Sequence, residues 1–167
     1  MAKLKKQHMT IHWKAIVQDD SSIPATEATL KEKATLVGRI GLMMLSVGTG
    51  AWRVRNSMNK VARCLGITCT ADIGLLAISY TCIEGTDTYT QSISNPTTGV
   101  NTHKLMQLEL FMKEFPDKVS TYSVKHIHEV LDEIQKLPAN YKAWNLGLAS
   151  ALACGAFTFL LGGGPVE

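Results

Sequence analysis

The histidines and carboxylates of this chain are the residues best suited to acid–base or metal chemistry, but their spacing forms no recognised site. His126 and His128 lie two residues apart on a predicted helix, so their side chains point to different faces and cannot share a metal ion there. His103 could join Asp72 or Asp87 in a hydrolytic site only if the fold gathered them beside a nucleophile. The sequence therefore predicts no catalytic residue and no metal site, and a hydrolase remains an alternative.

The motifs of the common cofactor and nucleotide sites are absent from the sequence. It contains no G-x-S-x-G, no H-E-x-x-H and no Walker A pattern. Gly48-Thr49-Gly50 cannot open a G-x-G-x-x-G loop, because Arg53 stands where the third glycine is required. The four cysteines show neither a C-x-x-C pattern nor a Cys/His ligand spacing, so we expect free thiols in a reducing compartment. We predict a protein without a cofactor that is not an enzyme.

The charge of the chain is mildly basic and unevenly spread. Lys and Arg number 17 against 14 Asp and Glu, which gives a net charge of +3. There is no basic cluster with interleaved aromatic residues, so we expect no nucleic-acid partner. From Arg39 to Ala71 there are basic residues and no acidic one. This stretch could present a surface to anionic lipid headgroups or to an anionic solute, or it could be the solvated face of a helix.

Hydrophobic periodicity and turn residues predict a flexible N-terminal tail at residues 1–24 and an α+β domain at residues 25–138. The domain is predicted in the order α-α-β-β-α-α. Its predicted helices cover 26–47, 51–65, 102–115 and 123–137, and its two strands cover 67–82 and 86–94. Pro116 and Pro138 are expected to end the last two helices, because proline cannot continue helical hydrogen bonding. The first residues form no signal peptide, so we expect this domain to be cytosolic.

The last stretch, residues 141–163, is predicted to be a transmembrane helix. After Lys142 the sequence has no ionisable acid or base until Glu167, apart from one cysteine. A helix of about 20 apolar residues crosses a hydrocarbon core of about 30 Å, and Trp144 suits the headgroup level. Lys136 and Lys142 flank the N-terminal side, which favours a cytoplasmic N-terminal domain. The alternative is a buried helix of a soluble domain.

Small residues recur along one side of this apolar run. Gly147, Ala151 and Gly155 are spaced four apart, so they share one face of a helix. Stripes of small residues let membrane helices approach closely. We therefore predict these three as helix-packing positions and residues 141–163 as the first helix of a bundle that this chain does not complete.

Three segments together carry a resemblance to a known family. Gly50-Ala51-Trp52-Arg53-Val54 leads into the segment from Met58 to Gly66, and Pro96-Thr97-Thr98-Gly99-Val100-Asn101 follows. Leu137-Pro138-Ala139-Asn140-Tyr141 then runs into an Ala/Gly-rich stretch that ends in Gly162-Gly163-Gly164. In this order and spacing, residues 30–164 resemble the N-terminal half of the threonine/serine exporter family.

The resemblance implies a transport function. Members have an α/β cytosolic module followed by membrane helices, and paired-subunit relatives in bacteria are proposed dicarboxylate exporters. The chain would then be part of an exporter of threonine, serine or related small carboxylates in the inner or plasma membrane, acting as its cytosolic domain and first span. Arg53, Thr98 and Asn101 lie in the matching motifs and are the implied substrate-binding residues. Alternatively, Arg53 is an exposed helix charge, and Thr98 and Asn101 form a turn and a helix cap.

Two departures from the family pattern bear on this interpretation. Arg55 stands where many members have an acidic residue, and the chain ends after one predicted span. One helix cannot enclose a path for a solute, so we expect missing C-terminal spans or a second membrane subunit in an oligomer. A different class of protein, a membrane-tethered regulatory or interaction domain, stays open as an alternative.

Overall fold

The described part of the chain contains five α-helices and one three-stranded antiparallel sheet. The computed structural model describes residues 11–17, 23–95, 99–138, 141 and 143–163. The helices are α1 (Leu30–Ser46), α2 (Ala51–Cys64), α3 (Thr102–Lys118), α4 (Val124–Lys136) and α5 (Ala143–Leu160), and the strands are β1 (Thr68–Ile73), β2 (Ala77–Glu84) and β3 (Asp87–Ser94). The chain divides into two compact units, Met1–Leu137 (unit 1) and Pro138–Glu167 (unit 2).

Helix α1 is the central element of unit 1. Thr29 begins it with a capping box: its side chain accepts a hydrogen bond from the Glu32 backbone N–H, and the Glu32 carboxylate accepts one from the Thr29 N–H. Side chains on nearly every side of α1 are buried, including Leu36 and Ile40. The helix starts later than residue 26 because Ala25–Glu27 forms a separate short 3-10 helix.

The sheet corrects the predicted order of elements. Residues 67–82, predicted as one strand, form two strands that pair with each other around a turn at Gly74, Leu75 and Leu76. The Gly74 N–H donates to the Ala77 carbonyl oxygen at 2.9 Å and closes this turn. Gly74 suits a turn, but two leucines follow it in place of polar turn residues, so the hydrophobic pattern predicts one continuous strand. The order in the described residues is therefore α-α-β-β-β-α-α-α, and the predicted α-α-β-β-α-α followed by a membrane span is wrong.

One face of the sheet packs on α1. Along β2, Ile78, Tyr80 and Cys82 alternate as buried residues, as expected for a strand with one covered face. Tyr80 lies against Gly38 of α1, and its hydroxyl donates to the Gln91 side-chain oxygen at 2.8 Å. The absence of a side chain at residue 38 is what lets the tyrosine ring reach the helix backbone.

Helix α3 passes through Pro116, where its end was predicted, and continues to Lys118. Proline has no backbone N–H, so the carbonyl of Met112, four residues earlier, loses its usual donor. The side chain of Lys60 on α2 supplies one instead, with Nζ 2.8 Å from the Met112 carbonyl oxygen. A hydrogen bond between two helices thus replaces one within a helix, and α3 is not forced to stop at the proline.

Unit 2 contains α5, and the prediction of a transmembrane helix over residues 141–163 is wrong. Among the described residues, no helix is both long enough and apolar enough to cross a membrane. Helix α5 has 18 residues, or about 27 Å at 1.5 Å per residue, against a hydrocarbon core of about 30 Å. The apolar run is longer than the helix inside it, because the helix ends at Leu160, shortly before Gly162 with φ of 88°. Packing through Gly147, Ala151 and Gly155 stays a prediction.

The N-terminal region contributes one buried side chain to unit 1. Of residues 1–24, predicted as a flexible tail, 1–10 and 18–22 lie outside the described residues. Within 11–17, Trp13 begins a short 3-10 helix and is buried. Its ring stacks on His128 of α4, with ring centroids 4.7 Å apart and planes inclined by 7°. This tryptophan therefore covers part of the surface of α4.

Candidate functional site

The best candidate for a binding site in unit 1 is a groove between α2 and α3, with a volume of about 240 Å³. Arg53, predicted from the sequence as a substrate-binding residue, lies in its wall. We call it the Arg53 groove. Its lining residues come from α1 (Met44), α2 (Trp52, Arg53, Asn56, Ser57, Lys60) and α3 (Glu109, Met112, Lys113).

The groove arises from the two faces of α2. Its lining residues on α2 recur at helical spacing on one side of the helix, while Val54, Met58 and Val61 are fully buried on the other side. Burial of that apolar face fixes the rotation of α2 and turns its polar face toward α3. On α3, Leu108 and Phe115 are buried in the same way, which leaves Glu109 and Lys113 at the groove.

The electrostatics of the groove combine both signs of charge. The Arg53 guanidinium donates a hydrogen bond from Nη2 to Oε1 of Glu109. The side chains of Arg53 and Glu109 are 45% and 46% exposed. An exposed ion pair of this kind adds little to stability, so it can be exchanged for contacts to a ligand. Lys113 adds a second positive charge at the lining, whereas the Lys60 ammonium is already bound to the Met112 carbonyl.

Of the other two predicted substrate-binding residues, Asn101 does not line this groove. The side chain of Asn101 accepts a hydrogen bond from the Lys104 N–H at 3.0 Å and caps α3, as its alternative interpretation proposes. It lies eight residues before Glu109, or about 12 Å along the helix axis. Thr98 lies outside the described residues. Binding by Arg53, Thr98 or Asn101 thus stays a prediction, and Arg53 is located in the lining of this groove.

Two residues of the hydrolase alternative, Asp72 and Asp87, lie far apart in the domain. Asp72 pairs with Ser79 on β2, and Asp87 pairs with Glu84, so the two aspartates lie at opposite ends of the sheet. Five residues of β2 separate these positions, which corresponds to about 17 Å. The part of the chain that the structure describes also holds no group of three His, Cys, Asp or Glu side chains suited to a metal ion. Asp72 and Asp87 are therefore too far apart to act together as a catalytic pair.

A second polar cluster is buried beneath Trp13, between α1 and α4. Arg39 donates from Nη1 to the His128 carbonyl at 2.8 Å and contacts His128 Nδ1 at 3.0 Å, while Nη2 donates to Asp132. His128 is fully buried and Arg39 is 5% exposed. Since Nδ1 faces a guanidinium that can only donate, we assign the ring proton to Nε2. The guanidinium of Arg39 is closed in and bonded to His128, Asp132 and Gln135, which indicates a structural cluster, although the buried His128 Nε2 has no hydrogen-bond partner among the described residues.

This cluster makes stability depend on pH. Burial, and then the positive charge of Arg39, lower the pKa of His128 from 6.5 to about 3. In the folded chain His128 therefore stays neutral at pH values at which the unfolded chain binds the proton. Its contribution to the free energy of unfolding is complete above pH 6.5 and is lost as the pH falls toward 3. At pH 5 the loss is about 2 kcal/mol in the free energy of unfolding.

Urea unfolding of the wild type and of His128→Asn at several pH values between 7.5 and 4.5 tests this expectation. The asparagine keeps an acceptor for Arg39 but does not titrate, so its curve should lack the His128 contribution. Parallel pH curves for the two proteins would show that His128 does not resist protonation in the fold.

The sequence analysis did not identify the residues on α3 that face Arg53, and it did not identify the buried cluster around Arg39. Glu109 and Lys113, four residues apart on α3, carried a weak signal, since this spacing places them on one face. Arg39 carried a stronger one, because it is the sole charged residue in the apolar second half of α1. A lone charge in a buried helix requires a counter-charge, and Asp132 stands four residues after His128 on α4.

Comparison with known proteins supplies one match. The family model ThrE, described as "Putative threonine/serine exporter", matches residues 35–167. The comparisons with curated proteins and with solved structures found no match to this chain. The matched segment includes every residue that lines the Arg53 groove.

Proposed function

Because this chain belongs to the threonine/serine exporter family, we propose that it is part of a membrane exporter of threonine, serine or related small carboxylates. The family is one of exporters, which is not an enzyme class. In our proposal unit 1 lies on the cytoplasmic side, the side from which an exporter takes its solute. A second membrane subunit, in an oligomer with this chain, would complete the path for the solute.

We propose the Arg53 groove as the place where unit 1 binds this solute. The observation that carries the proposal is the half-exposed ion pair between Arg53 and Glu109 in the groove wall. A free amino acid is a zwitterion, so its carboxylate can take the guanidinium while its ammonium takes the Glu109 carboxylate. Guanidinium and carboxylate groups form paired, charge-assisted hydrogen bonds, which makes arginine well suited to the first of these contacts.

The remaining lining fits a small hydroxylated ligand. The volume of about 240 Å³ is below the roughly 300–1,000 Å³ typical of drug-sized ligands. Asn56 and Ser57 offer amide and hydroxyl groups that can bind the hydroxyl of threonine or serine. Lys113 could instead hold the second carboxylate of a dicarboxylate, so the groove also allows the alternative substrate class.

Binding is tested on the purified full chain with threonine, by calorimetry or by NMR titration. Arg53→Gln is expected to raise the Kd for threonine about ten- to hundredfold, because hydrogen bonds to charged groups contribute about 1.5–3 kcal/mol. Arg63→Gln is the matched control, since Arg63 is an exposed arginine of the same helix outside the groove lining. Equal affinity of the two variants would contradict a role for Arg53.

Transport is tested separately in cells that lack their own export of threonine. Expression of the chain with a membrane partner is expected to lower intracellular threonine, and Arg53→Gln is expected to abolish most of this effect. Threonine binding without any change in export would favour the alternative of a regulatory domain. A chain that neither binds nor exports threonine would overturn the proposed function.

A further inference from the structure

Four loop and helix-end side chains expose unusually large apolar areas at one end of unit 1. Among its described residues, the large apolar side chains with the highest exposure are Leu75 (83%), Val100 (82%), Trp52 (69%) and Leu76 (59%). Others of this kind, such as Met106, are at most 50% exposed. We call these four residues the apolar end.

Backbone contacts place the four at the same end of the unit. The Asn95 N–H donates to the Leu76 carbonyl at 2.7 Å, which fixes the β1–β2 turn beside the end of β3. Residues 99–101 contact the end of α1, since the Gly99 N–H donates to the Ser46 carbonyl and the Asn101 N–H donates to the Val47 carbonyl. The turn with Leu75 and Leu76 and the loop with Val100 therefore lie at the same end of the sheet.

Helix α2 begins at the same end. It follows α1 after a short connection, so Trp52 in its first turn lies next to the end of α1. One turn later, Arg55 Nε donates to the Ala71 carbonyl at 3.1 Å, close to the β1–β2 turn. Helix α4 also ends here, because the Lys104 side chain in the first turn of α3 donates to the Gln135 carbonyl at 2.7 Å.

We propose that the apolar end of unit 1 lies against an anionic lipid surface. Single exposed apolar residues are normal, but the most exposed ones of a unit gathered at one end indicate a contact surface. A tryptophan with neighbouring leucines is suited to the headgroup boundary, where apolar rings and chains enter the acyl region.

The charges around the apolar end favour lipid over a protein partner. Trp52 is followed by Arg53, which is paired with Glu109, and by Arg55, and α2 contains no acidic residue. Within three residues of the four apolar side chains, Asp72 is the one acidic residue. Basic groups beside a membrane surface are attracted to anionic headgroups. An exporter family implies association with a membrane. The proposal does not depend on a ligand in the Arg53 groove.

The experiment uses an environment-sensitive fluorophore (NBD) on the full chain with Cys64 and Cys154 replaced by serine. One variant carries the label at Leu75→Cys, and the matched control carries it at Thr86→Cys, an exposed position in the β2–β3 turn at the other end of the sheet. Both are mixed with phosphatidylcholine vesicles, with and without phosphatidylglycerol. Because the labels sit on unit 1, binding of vesicles by unit 2 does not by itself move label 75 into lipid.

The expected result is a blue shift and a rise in emission at label 75 with anionic vesicles, a smaller change with neutral vesicles, and no change at label 86. Replacing Leu76 by serine should reduce the shift at label 75. No shift at label 75, or equal shifts at both labels, would overturn the proposal. A shift that needs no vesicles and grows with protein concentration would identify a second copy as the partner and overturn it as well.

Discussion

Replacing Asp132 by alanine is expected to lower the free energy of unfolding by about 3 kcal/mol. Arg39 is buried between α1 and α4, and Asp132 supplies the negative charge that its guanidinium contacts. Burial already lowers the pKa of Arg39, while the hydrogen bond and charge of Asp132 act in the opposite direction. Without the carboxylate, a positive charge stays in an apolar environment with only neutral partners.

Urea unfolding at pH 7.5 measures this loss. Glu114→Ala serves as the control, because Glu114 forms an exposed ion pair with Lys118 and its removal should leave the unfolding midpoint nearly unchanged. The double variant Arg39→Met with Asp132→Ala should recover part of the lost stability, since it removes the buried charge together with its partner. If Asp132→Ala matched Glu114→Ala, the buried pair would contribute nothing to folding.

Replacing Gly38 by alanine is expected to destabilise unit 1 by about 3 kcal/mol. A Cβ at this position would lie 2.6 Å from Cε1 of Tyr80 and closer still to Cζ and the hydroxyl oxygen. The tyrosine cannot retreat easily, because it is 1% exposed and hydrogen-bonded to Gln91. Either the ring or helix α1 must shift, and both are central to the core.

Gly99→Ala is the matched control, since a Cβ there meets no atom within 4 Å. Thermal unfolding followed by circular dichroism should show a clear decrease in Tm for Gly38→Ala and almost none for Gly99→Ala. Gly41→Ala gives an intermediate case: its Cβ would meet Met58, whose flexible side chain can move aside. Equal Tm values for the variants at 38 and 99 would show that Tyr80 adapts without cost.

Local sequence patterns predicted much of the helical architecture. The apolar spacing of α4, its start near Ser123 and the two faces of α2 follow from residues close in sequence, and the structure has all three. The third strand was missed because Leu75 and Leu76 follow Gly74 in its turn and continue the apolar pattern of the predicted strand. The membrane helix over 141–163 was wrong because composition counts apolar residues without fixing the length of the helix that they form.

The candidate site could be predicted only in part for a related reason. Arg53 lies in a motif, so the sequence alone could single it out. Its partner Glu109 is 56 residues away, and Arg39 and His128 are 89 residues apart. Such pairs depend on how the helices pack, and no local period or propensity specifies that packing. A single sequence can therefore name one side of an ion pair and leave the other undetermined.

The bond between Lys60 and the Met112 carbonyl sets a mechanical limit on the Arg53 groove. Separating α2 from α3 would break it, and Pro116 leaves that carbonyl without another backbone donor in the helix. This contact therefore links the two walls of the groove and opposes their separation. A ligand of the proposed site would therefore have to fit the existing gap and exchange the Arg53–Glu109 contact.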